Sequence, residues 1–71
     1  MPDDVEALRE RMTFLDGAWR AKRDLLRRGA NGVTDAAVRA AVAEYIAASD
    51  AFQVAKWGKV RCRFTVAGLL R

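Results

Sequence analysis

The 71-residue chain contains no histidine, a single cysteine (Cys62), a single proline (Pro2) and a single serine (Ser49). Without histidine there is no Ser-His-Asp or Cys-His relay and no histidine-bearing zinc site. One cysteine excludes an intramolecular disulfide and a cysteine-built metal cage. There is no glycine-rich phosphate loop, and no run approaches the ~18 apolar residues of a membrane span. The acidic opening, Met1-Pro2-Asp3-Asp4, is unlike a secretory signal or transit peptide, which carries basic residues. Together with the lone thiol, it leads us to expect a reducing compartment, the cytoplasm or an assembled particle within it.

Hydrophobic residues make up 52% of the chain, but 14 of them are alanine, so bulky core material is scarce. A chain of this size buries only about 60% of its unfolded surface. One domain spanning residues 1–71 is expected, and a lone copy should be marginally stable. The net charge of +4 is laid out in blocks. An acidic start to residue 16 precedes a basic run, Arg20, Lys22, Arg23, Arg27 and Arg28, broken only by Asp24. Residues 55–71 hold five bases and no acid. Acids early and bases late in a helix complement its dipole, while an uncompensated basic segment favours acidic partners such as nucleic acid.

Val5, Leu8, Met12, Leu15, Trp19 and Leu26 fall on one helical stripe, with Lys22 breaking the series. This predicts a helix over residues 3–28, with Phe14, Ala18, Ala21 and Leu25 widening its apolar face. Asp16–Arg20 and Asp24–Arg28 are set up as i,i+4 ion pairs. Gly29-Ala30-Asn31-Gly32 reads as a turn, giving a loop over 29–33. Thr34 is the expected N-cap of a second helix over 35–57, with Val33 and Val38 stapling across it and Gly58 ending it. Nine alanines between residues 36 and 55 allow close helix approach. Two long helices joined by so short a loop form an antiparallel hairpin.

After Gly58 the period changes. Val60, Cys62, Phe64 and Val66 alternate with Lys59, Arg61, Arg63 and Thr65, which predicts a half-buried strand over 59–66 followed by an apolar tail, 67–71. No second strand is legible, and a single strand cannot satisfy its own backbone. The expectation is therefore a mainly α fold, a two-helix hairpin plus one C-terminal β-strand that pairs between molecules. The alternatives are an extension lying on the hairpin, its apolar residues capping the core, and a helix whose pattern reads as a strand.

Few residues suggest chemistry. Glu6 and Glu10 share a helix face but have no third ligand nearby. Ser49 lacks a base to activate it. Cys62 has basic neighbours, yet its place in the alternation puts it on the apolar face as a buried structural thiol. Trp19 and Trp57 read as core or interface anchors. No cofactor, metal or small-molecule substrate is expected, and no membrane partner.

Gly32-Val33-Thr34, followed by Val38 and Val42, resembles the turn and second helix of a helix-turn-helix DNA-binding motif. The resemblance covers residues 32–42 and implies that Asp35, Ala36, Ala37 and Arg39 face the major groove. The chain departs from the pattern at Arg28, where the family has a small residue, and in the length of its first helix.

Two functions follow as expectations. The first is a non-catalytic assembly or adaptor subunit, comparable in size to small structural components of phage particles or plasmid-encoded complexes. It would bind itself or another protein through Trp57, Val60, Cys62, Phe64, Val66, Leu69 and Leu70. The second is a small dimeric DNA-binding regulator using Lys56, Lys59, Arg61 and Arg63, with Arg39 from the helix-turn-helix segment.

Overall fold

The computed structural model describes residues 4–71. Helix accounts for 75% of them, in α1 (Val5–Arg27), α2 (Asp35–Trp57) and α3 (Val66–Leu70). The expected start of the first helix at Asp3 lies outside the described residues. Asp4 caps α1, its Oδ1 accepting from the Glu6 N–H at 3.0 Å. At the other end Gly29 takes φ 75°, and the N–H groups of Gly29 and Ala30 donate to the carbonyls of Leu26 and Leu25. This crossed pair is the Schellman termination that glycine permits. Thr34 caps α2 through the Ala37 N–H at 3.1 Å, and Gly58, at φ 76°, closes it.

The molecule measures 42 × 21 × 13 Å. A 23-residue helix is about 35 Å long, so α1 and α2 both run along the long axis, antiparallel and side by side. The result is a slab, a single layer of two helices with the C-terminal extension laid on one broad side. Its core is Trp19, Val38, Ala41 and Val42, with Leu15, Ala48 and Phe52 also buried along the seam. Val33 packs against the same cluster as Val38, as the staple requires. Asp16 pairs with Arg20 at 3.0 Å, but Asp24 pairs with its neighbour Arg23 rather than with Arg28.

The strand expected over 59–66 does not form, and among the described residues there is no strand. Beyond Gly58 the chain bends at Arg61 and Cys62, then enters α3, whose N-cap is Thr65. The backbone finds its partner in a side chain. Gln53, 3% exposed, accepts from the N–H groups of Arg61 (2.8 Å) and Cys62 (2.6 Å) through Oε1. Its Nε2 donates to the Cys62 carbonyl (2.8 Å) and to Ser49 Oγ (3.2 Å). Both lone pairs and both hydrogens of the amide are used. The extension then returns along α2, and Val66, Leu69 and Leu70 pack on the core cluster beside the loop end of the hairpin.

Candidate interaction site

Of the residues expected to enter a partner's pockets, Val60, Phe64, Val66, Leu69 and Leu70 are half-buried within the molecule, and Trp57 and Cys62 are exposed. Val66, Leu69 and Leu70 cover Trp19, Val38, Ala41 and Val42. Phe64 is half-buried, its ring 6.1 Å from that of Tyr45, which in turn lies 6.5 Å from Trp19. Burial raises the Tyr45 phenol above its usual range, with a smaller push from Asp16. Val60 is half-buried, whereas Cys62 is exposed. This corrects the expected strand face, because the bend at 61–62 turns the thiol outward while the Cys62 backbone is held inward by Gln53. Cys62 lies at the rim of a recess of about 190 Å³ that Met12, Phe52 and Trp57 also line.

A basic tip forms where α2 ends. Lys56, Lys59, Arg61 and Arg63 are all exposed. The Lys56 Nζ and the Arg61 Cζ lie 5.3 and 5.2 Å from the centre of the Trp57 ring, within cation–π range. Trp57, 42% exposed, meets Phe52 edge-on at 6.1 Å. Arg39 is not part of this group. It sits near the opposite end of α2, about 25 Å away along the helix, bound to Asp35 at 2.7 Å. That ion pair occupies two of the four side chains that the helix-turn-helix resemblance aimed at a groove. The helices also lie antiparallel rather than crossing at the steep angle of that motif.

The groups considered for catalysis have structural partners. Ser49 is buried and accepts from Gln53. Glu6 is gripped by the Arg9 guanidinium through two contacts, at 3.0 and 2.7 Å. The hydrogen bonds and charge of Arg9 hold its carboxyl below the ordinary range.

One broad side of the slab is covered by the returning extension. On the other, a shallow groove between the helices is lined by Leu8 and Arg11 of α1 and by Glu44, Ala47, Ala48 and Ala51 of α2. Around it, Phe14 is 73% exposed and Val54 50%. Sequence reasoning assigned Phe14 and Leu25 to the flank of the core stripe, and it did not single out Gln53 at all. The only signal for Gln53 was a polar residue one turn beyond Ser49 on the inward side of an apolar helix. No protein-family model, characterised protein or solved structure matches the chain.

Proposed function

We propose that the protein is a non-catalytic docking module, a small assembly or adaptor subunit that binds another polypeptide through the uncovered side of its hairpin. The observation that carries this reading is the exposure of Phe14 at 73%, with Val54 and Leu25 also open, on a slab whose other side is closed by its own extension. Large apolar side chains concentrated on one side of a small protein mark an interaction surface. The docking element is the hairpin rather than residues 59–70, whose apolar groups serve the core. The test is the native mass of the complex recovered from the cells that make the protein. The unsubstituted chain should be found in a complex heavier than one copy, and Val54→Asp should release it as a free folded chain. A Val54→Asp chain that stays in an unchanged complex overturns the reading.

A second reading, binding of nucleic acid at the tip, is favoured by one specific observation. Trp57 is half-exposed with Lys56 and Arg61 over its ring, and residues 51–71 contain no acid. Aromatic faces bordered by cations are stacking sites for unpaired bases. Single-stranded DNA binding in a salt series tests it. Lys59, Arg61 and Arg63→Gln together should reduce the salt slope by about two to three. Binding that is absent, or that is unchanged in this variant, removes it.

A further inference from the structure

We infer that the polypeptide docked on the uncovered side is a second copy of this chain, the two forming an antiparallel four-helix arrangement. The inference rests on the docking-module reading and names its partner.

Self-complementarity is the reason for choosing a second copy. From the groove residue Arg11, α1 continues at helical steps to Ala7, Phe14, Ala18, Ala21 and Leu25, a seam confined to an arc of about 80°. From Ala47 and Ala51, α2 continues to Ala36, Ala40, Ala43 and Val54. All of these are exposed except Ala18, which is half-buried. The register of the hairpin follows from Trp19, clustered with Val38, Ala41 and Val42, and from Leu8, which shares the groove with Ala48 and Ala51; residues whose numbers sum to about 60 therefore lie level.

A two-fold axis parallel to the helices, lying between two facing slabs, places each α1 over the other copy's α2 at the same level. Phe14 then stands over Ala43 and Ala47, Leu25 over Ala36, and Val54 over Ala7. Every large side chain meets an alanine, the alternation that lets layers interdigitate. Every neighbouring helix pair is antiparallel, as in an up-down bundle.

The area is sufficient. A face about 35 Å long, the length of the helices, and 21 Å wide outlines roughly 700 Å², close to the value of about 800 Å² per partner in a standard-size interface. Charges at the loop end favour neither outcome, because Asp35 falls between the levels of Asp24 and Arg28 of the other copy. One pair disagrees, because Glu10 falls level with the other copy's Asp50. That mismatch makes the register testable by a gain as well as a loss.

Sedimentation equilibrium on the purified full-length chain, over a micromolar-to-millimolar series, is the experiment. The unsubstituted chain should be a dimer. Phe14→Asp should raise the dissociation constant at least ~100-fold while keeping the helical circular-dichroism signal, since Phe14 is 73% exposed in the single chain. Glu10→Lys should tighten the dimer about three- to tenfold. In a Cys62→Ser background, oxidising a mixture of Phe14→Cys and Ala47→Cys chains should give the mixed disulfide.

A monomer throughout the series overturns the second copy as partner, while the docking-module reading is judged separately by the native mass of the cellular complex. Phe14→Asp dimers as tight as the original place the interface elsewhere and also overturn the inference. A disulfide between two Phe14→Cys chains shows α1 over α1 and overturns this arrangement.

Discussion

Gln53 and Cys62, nine positions apart, close a ring of two hydrogen bonds. The Cys62 N–H donates to Gln53 Oε1 at 2.6 Å, and Gln53 Nε2 returns to the Cys62 carbonyl at 2.8 Å. A side-chain amide thus does for residue 62 what a neighbouring strand does in a sheet. The extension is held on α2 without any second molecule.

Replacing Gln53 with alanine leaves the Arg61 and Cys62 N–H groups and the Cys62 carbonyl without these partners. The expected loss is about 2 kcal/mol in urea unfolding, with faster hydrogen exchange at Arg61 and Cys62. Gln53→Glu adds a pH dependence. Ionised, the new carboxylate cannot donate and sets a negative oxygen against the Cys62 carbonyl, so its folded-state pKa rises above the unfolded one. The variant should be most stable below the unfolded carboxyl pKa and lose stability as pH rises through the folded value. A variant whose stability is flat from pH 4 to pH 8, about the range over which a raised carboxyl titrates, would show that the amide's donor side is dispensable.

Cys62 should react with a thiol reagent in the native protein nearly as fast as in the unfolded chain, because it is exposed. Labelling slowed a hundredfold or more by folding would return the thiol to the buried position that alternation suggested, since protection of that size needs burial.

Two glycines of the hairpin should respond oppositely to alanine. Gly58 sits at φ 76° with nothing within 4 Å of the place a Cβ would take, so Gly58→Ala should cost about 1–2 kcal/mol, all of it backbone strain. Gly17 lies within α1 and also has open space around it. Gly17→Ala should therefore stabilise by about 0.5–1 kcal/mol. Denaturation midpoints that shift in the same direction for both would contradict this account.

The Glu6 carboxyl should titrate below its ordinary 4.5, and Arg9→Gln should return it there. Because the folded value is depressed, any stability from the pair is present above the unfolded pKa and disappears as pH falls through the folded one. Carbon-detected NMR of the Glu6 side chain reads both values directly.

The two long helices and their ends were legible because their signals are local. Thr34, Gly29 and Gly58 act within a turn of themselves, and the stripe from Val5 to Leu26 reports one buried face. The extension was not legible, for a physical reason. Alternation at 59–66 says which side chains are apolar but not where the backbone hydrogen bonds go, and Gln53 supplies them from outside the segment. Nor does periodicity reveal that Phe14 lies outside the single chain's core. Trp19 and Leu15 already fill the narrow seam a one-layer slab provides, and Phe14 is turned about 100° from Leu15 around the helix.

The Schellman turn at Gly29 also governs time. With the turn at Asn31-Gly32, where Gly32 takes φ 86°, it brings α1 and α2 together, so their contacts can form in sequence from the loop outward, each closing little additional chain. The extension adds only the nine-residue reach from Gln53 to Cys62. Proteins built from such near-neighbour contacts fold in roughly microseconds to milliseconds. Closure at Gly29 is therefore expected to limit the rate and docking of α3 to follow it, so that Gly29→Ala should slow refolding measured by stopped-flow fluorescence.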